Sequence, residues 1–289
     1  MRYLDSLALA KLRGLSSSLR KLGGEGVATG AHSSRLKGFS QEFSQYRPYA
    51  PGDDLRSIDW KVMARADRPY VRENESESLM GLYLLMDASG SMAYASGAES
   101  KWDYACRLAM ALAYLALSQG DAVGLAVFDS RLRVFLPPQS LFSRLQAVDS
   151  ILAKTSPAGR LDLGAVLSEA APRLKARSLI AVFSDFLGPP AGFLRFLKGL
   201  KAKRRTWAVQ VLDPAERDFD FQGPAFFESL EDSGSVFLDA RDARRAYHSE
   251  LSRLLRYYRA ALESYGIPHA VNHTDEPWDR GLSRLLTRS

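Results

Sequence analysis

The chain has 289 residues, 46% hydrophobic, 25% charged and 10% aromatic, which excludes a disordered, fibrous or low-complexity protein. A core of this size needs no metal or disulfide staple, and the single cysteine, Cys106, can form no internal bridge. The formal charge is +6, and the stretch from Met1 to Arg72 alone holds 13 basic against 7 acidic residues, so the remainder is balanced and the basic N-terminal part is either a site for an acidic partner, nucleic acid or a membrane surface or simply a solvated face.

Met1 to Leu22 breaks its apolar residues with Arg2, Asp5, Lys11 and Arg13, so no secretory core is expected there, and Leu4 to Leu22 reads as a helix. Gly23 to Gly30 is too rich in glycine to continue it and reads as a hinge or loop. From His32 to Ser78 turn signals alternate with Tyr46, Tyr49, Trp60 and Tyr70, and Pro51-Gly52-Asp53-Asp54 predicts a turn. Glu73, Glu75 and Glu77 alternate with polar residues, as on a solvated strand edge.

Beyond this point apolar strands alternate with helices. Leu79 to Met86, Val123 to Phe128, Leu132 to Leu136, Ser178 to Ser184, Thr206 to Leu212, Ser235 to Asp239 and Pro268 to His273 predict strands. Lys101 to Ser118, apolar nearly all round, predicts a buried helix, in which Cys106 reads as a small core residue. Leu141 to Lys154, Leu163 to Leu174, Ala191 to Ala202, Ala243 to Tyr265 and Asp279 to Leu286 predict the other helices. Strands apolar on both faces and joined by helices imply an α/β fold with a Rossmann-like, doubly wound, mostly parallel sheet. The expected organisation is an N-terminal helix and glycine-rich loop over 1–30, a turn- and strand-rich extension over 31–78, the α/β domain over 79–275 and a C-terminal helix over 276–289. No apolar run reaches the length that spans a bilayer, and the protein is expected to be cytoplasmic.

In such sheets ligands collect at the carboxyl ends of the strands, where the winding reverses. Asp87-Ala88-Ser89-Gly90-Ser91-Met92 follows the first buried strand and offers a carboxylate and two hydroxyls at alternate positions. Oxygen donors converging on a loop suit a hard divalent cation, Mg²⁺ or Mn²⁺, with Ala88 and Gly90 small enough for the backbone to bend closely. Asp185 follows the strand Ser178 to Ser184 and would face Asp87 if the two strands are neighbours. The alternative for Asp87, Ser89 and Ser91 is that they cap a turn and the helix after it.

This constellation resembles the metal-ion-dependent adhesion site of von Willebrand factor A domains, whose first loop is Asp-x-Ser-x-Ser. The resemblance implies that a threonine from a second loop also reaches the metal. The corresponding stretch here is Gly159 to Gly164, where Leu161 stands at that position, Arg160 brings a positive charge, and Asp162 is the oxygen donor at hand. The segments Lys37-Gly38-Phe39, Glu42-Phe43, Tyr46 to Trp60 and Ala64-Arg65 resemble the signature of the bacterial von Willebrand A-like group called domain-of-unknown-function family fifty-eight. That resemblance implies a noncatalytic adaptor that works with a MoxR-type AAA+ ATPase, or with the client the ATPase remodels, through an acidic residue of the partner. Taken without it, Asp53, Asp54, Arg56, Asp59 and Arg65 read as charges bracing a turn-rich segment around Trp60.

Other chemistries have weaker support. A haloacid-dehalogenase-like phosphatase also places an Asp after its first strand, but it needs a second acid two residues on, where Ser89 stands. No Gly-x-x-x-x-Gly-Lys-Ser/Thr run is present, and neither Ser89 nor Ser91 lies in a Gly-x-Ser-x-Gly elbow. His269 and His273 fall on a predicted strand, which separates them too far to share zinc. Lys201, Lys203, Arg204 and Arg205 suggest nucleic acid, but they follow a helix, where basic side chains cap carbonyls.

Overall fold

The computed structural model describes residues 1–12, 43–48, 70–74, 81–176, 178–231 and 234–288. The glycine-rich loop, the turn at Pro51 to Asp54, Trp60 and its surrounding charges, Glu75 and Glu77 lie outside these residues. The chain divides into two compact units, Met1–Ser17 with Gly81–Ser289, and Ser18–Met80. In the second, β1 (Phe43–Pro48) and β2 (Tyr70–Asn74) form an antiparallel pair with Tyr46 opposite Arg72.

The first unit is built on a sheet in which β3 (Gly81–Asp87), β4 (Ala122–Phe128), β6 (Leu179–Ser184), β7 (Arg205–Leu212) and β10 (His269–His273) run parallel, and β5 (Leu132–Gln139) closes one edge antiparallel to β4. The strand order is β10-β7-β6-β3-β4-β5. The chain winds from β3 to β4 and β5 on one side, then crosses to β6 on the other. The order therefore reverses between β3 and β6, as a doubly wound sheet requires.

The continuous apolar strands follow from helices on both faces. Along β3, Leu82, Leu84 and Met86 enter one core, while Tyr83 and Leu85 enter the other. The first core is covered by α1 (Lys101–Ser118), α2 (Ser143–Lys154), α7 (Trp278–Arg288) and the helical residues 6–12. The second is covered by α3 (Leu163–Ala170), α4 (Pro190–Lys201) and α6 (Ala240–Ser264). Cys106 is wholly buried in α1, where burial pushes its thiol well above the usual range. The amino end is tied down as well: Asp149 of α2 accepts hydrogen bonds from the backbone N–H groups of Arg2 and Tyr3 at 2.9 and 3.1 Å.

Several boundaries differ from the sequence expectation. The helix predicted to Leu174 ends at Ala170, because Pro172 has no N–H for the next helical bond. The strand Ser235 to Asp239, β9, is not part of the main sheet. It pairs antiparallel with β8 (Pro224–Glu228) in a separate hairpin, reached through the short helix α5 (Pro214–Asp218). Phe219, at φ 45°, turns the chain out of α5 and stacks on Phe227 at 5.6 Å and Tyr247 at 4.3 Å, which fixes the hairpin to α6.

Candidate metal site at the switch point

β3 and β6 are neighbours in register, with Met86 opposite Phe183. Their carboxyl ends therefore bring Asp87 and Asp185 to the same edge of the sheet. Both are buried, and so is Ser89, while Ser91 is half-buried in the 3₁₀ turn Gly90–Ala93.

Asp87 accepts from the Ser89 backbone N–H at 2.9 Å and from the Ser184 hydroxyl at 2.6 Å, one bond to each carboxylate oxygen. Burial, reinforced by the charge of Asp185, raises its pKa to about 7. Asp185 goes the other way: although burial disfavours its charge, the Lys101 ammonium 2.8 Å away, the Leu187 N–H at 3.1 Å and the Ser91 hydroxyl hold it below the usual carboxylate range. Its own carbonyl accepts from Gln210 of β7 at 2.7 Å, and Gln210 bonds to His269 of β10 at 3.1 Å. The next residue, Phe186, has a φ of 51°, a strained conformation for an aromatic residue, held by ring packing on Phe193 and Tyr258 at 5.0 and 5.9 Å.

The hydroxyls of Ser89 and Ser91 lie 3.3 Å apart. Two oxygens bound side by side to one small cation at about 2.1 Å stand roughly 3.0 Å from each other, so the pair is spaced to share an ion with little movement. Each carboxylate has about four acceptor positions, and the hydrogen bonds named above leave some of them available on Asp87 and Asp185. Two hydroxyls and two carboxylates at a strand-end crevice fit Mg²⁺ or Mn²⁺.

The loop carrying Leu161 lies against this motif. The Gly90 N–H donates to the Gly159 carbonyl at 2.9 Å, and the Ala158 N–H to the Ala88 carbonyl at 2.9 Å. Asp162 is on this loop, exposed, with one oxygen accepting from the N–H groups of Gly164 and Ala165 at 2.9 and 3.0 Å. It is the N-cap of α3, and the bonds that position it are those of a helix cap. Gly90 is required for a reason other than a small bound object: a Cβ there would come within 2.0 Å of the Leu230 carbonyl.

Two participants were not legible in the sequence. Lys101, in the first turn of α1, is fully buried with its ammonium between Asp185 at 2.8 Å and Glu216 of α5 at 2.5 Å. Burial opposes its charge, but the two carboxylates outweigh it and raise its pKa. Glu231, beyond β8, sits beside Ser91, Leu161, Arg160 and Asp185. Burial and the Asp185 charge raise its pKa, and the nearby Ser91 side chain, Leu161 backbone and Arg160 charge oppose the rise.

Residues 45–254 match the family described as Protein of unknown function DUF58. The chain belongs to the DUF58 family. Among its relatives is uncharacterized protein Rv1480 of Mycobacterium tuberculosis, 28% identical over 290 residues that cover 98% of this chain and 90% of the relative. Among solved structures, this DUF58 protein is similar to the conserved hypothetical protein BatB from Bacteroides thetaiotaomicron, with 14% identity and a TM-score of 0.44 over 73% of this chain and 100% of that one. It is also similar to a von Willebrand factor type A protein from Catenulispora acidiphila, with 12% identity and a TM-score of 0.40 over 73% of this chain and 42% of that one. The strand order and its switch point make the sheet of this DUF58 protein Rossmann-like and doubly wound. Among the described residues no helix is long and apolar enough to cross a membrane.

Proposed function

We propose that this DUF58 protein is a noncatalytic protein-interaction module that docks a partner's carboxylate through Mg²⁺ or Mn²⁺ held by Asp87, Ser89, Ser91 and Asp185. The observation that carries this reading is the convergence of two buried carboxylates and a pair of hydroxyls 3.3 Å apart at the switch point of the sheet. The bound cation supplies positive charge that an incoming carboxylate can share. Lys101 neutralises part of the Asp185 charge on the protein side, leaving the cation with an unsatisfied demand for anionic oxygen. The family resemblance suggests a MoxR-type AAA+ ATPase or its client as that partner.

The environment of Asp87 argues against a phosphatase that uses it as nucleophile. It is fully buried, each oxygen accepts a hydrogen bond, and a pKa raised to about 7 leaves it partly protonated at neutral pH. The direct test is co-purification with a MoxR-type AAA+ ATPase. Association in Mg²⁺ that is lost in chelator and in Asp87→Ala supports the reading. Association indifferent to both, or hydrolysis of a phosphomonoester abolished by Asp87→Ala, overturns it.

A further inference from the structure

We propose that the β8–β9 hairpin and helix α6 together form a two-fold dimer interface, in which the outer face of each hairpin is seated on the exposed side of α6 in a second copy of this chain. The inference is independent of the cation reading and concerns a surface that reading does not use.

Strand alternation turns Phe226 and Glu228 of β8 outward, together with their register partners Phe237 and Ser235 of β9. The rings of Phe226 and Phe237 lie 4.7 Å apart and are 71% and 62% exposed, although such a pair gains most when it is buried in a core or an interface. The hairpin that presents them is held at both ends. Phe219 stacks on Phe227 and Tyr247 at its base, and the Leu230 carbonyl rests on Gly90 at its far end. A fixed, exposed aromatic face rimmed by polar residues is the mark of an interaction surface.

Charge selects the occupant. From Asp218 to Asp239 the chain carries six acidic residues and no lysine or arginine. Glu228 and Asp239 flank the ring pair at its two ends, so the face repels nucleic acid and anionic lipid and fits a basic protein surface. Helix α6 is such a surface, with six arginines against three acidic residues. Arg245, Ser249, Ser252 and Arg256, spaced at helical intervals, form an exposed line along it. Arg241, Arg244 and Arg253 pair with carboxylates of their own chain, whereas Arg245 and Arg256 have no ion pair among the described residues. These two arginines stand about 16 Å apart along the helix. The two carboxylates stand about 13 Å apart along the hairpin. The lengths match, and the two serines leave room for the rings between the arginines. Asp239 ends β9 and is also the N-cap of α6, so hairpin and helix are contiguous and a two-fold axis pairs each with its complement.

The test is sedimentation equilibrium of the full chain at micromolar concentrations. Three proteins are compared: wild type, a hairpin variant (Phe226→Ser with Phe237→Ser) and a helix variant (Arg245→Glu with Arg256→Glu). All four substitutions fall on exposed positions, and unchanged melting temperatures confirm that the variants fold. Wild type is expected to dimerise, and each variant to raise the dissociation constant at least about tenfold, as loss of a central anchor does. Mixing the two variants is the decisive arm. A dimer of either variant alone keeps neither contact, while a mixed dimer keeps one: the helix variant's hairpin on the hairpin variant's α6. The mixture should therefore dimerise more tightly than either component. A wild type that stays monomeric up to about 100 μM, well above the roughly micromolar range of weak specific complexes, overturns the inference. So does a dimer indifferent to the substitutions, or a mixture no tighter than its parts. Binding of monomeric wild type to phosphatidylserine vesicles that is lost in the hairpin variant would reassign the face to a membrane.

Discussion

Asp87 is fully buried with Asp185 as its nearest like charge, so without a metal it gives up its proton only near pH 7, against a reference of 3.8. The folded state thus binds this proton more tightly than the unfolded chain. Its contribution to stability is complete below about pH 4 and is lost as pH rises through about 7, at up to about 1.4 kcal/mol per pH unit. In chelator, wild-type stability should fall between pH 5 and 8 more steeply than that of Asp87→Asn, which has no proton to lose. Asp121, raised to about 6 by burial, acts in the same direction but is common to both proteins. Equal slopes in urea melts across this range would contradict the assignment. The four residues Asp87, Ser89, Ser91 and Asp185 were legible because each lies within a few positions of an apolar strand end. Lys101 was not, since at the head of a helix it looks like any surface lysine, and its partners are 84 and 115 positions away.

At the scale of elements, Lys101 ties three pieces together: the first turn of α1, the loop after β6 and helix α5. Removing one member of a buried charge group leaves the others without a countercharge, typically at a cost of about 3–5 kcal/mol. Lys101→Ala is expected to lose stability of that order in urea denaturation, and a loss below about 1 kcal/mol would show that water replaces the ammonium at little cost. The alternation of strand and helix was legible from apolar runs because β3, β4, β6 and β7 are covered on both faces. The β8–β9 hairpin was half missed for the converse reason. Phe226 and Phe237 point outward while Ala225 and Phe227 are half-buried, so burial does not mark its pattern, and Pro224, Gly223 and Gly234 around it read as loop. The basic run after α4 illustrates a local reading that tertiary structure makes specific. Arg204 donates to the carbonyls of Ala171 and Leu174 at 2.7 and 2.6 Å beyond α3, and Lys201 to the carbonyls of Tyr265 and Gly266 beyond α6.

For the whole molecule, a mostly parallel sheet that reverses its winding between β3 and β6 places its switch point beside Asp87 and Asp185. The fold class could be inferred from sequence because it depends on the order of elements. The approach of the Leu230 carbonyl to Gly90 could not, because it depends on where a hairpin outside the main sheet comes to rest. The central claim is that this crevice holds a divalent cation. A ligand that binds only the folded state stabilises it by about 2.7 kcal/mol at a hundred times its Kd. The most direct measurement is the thermal melt of wild type and Asp87→Ala in chelator and in millimolar Mg²⁺ or Mn²⁺. The account predicts a cation-dependent rise in melting temperature for wild type and none for Asp87→Ala. No rise in wild type, or the same rise in both, would contradict it.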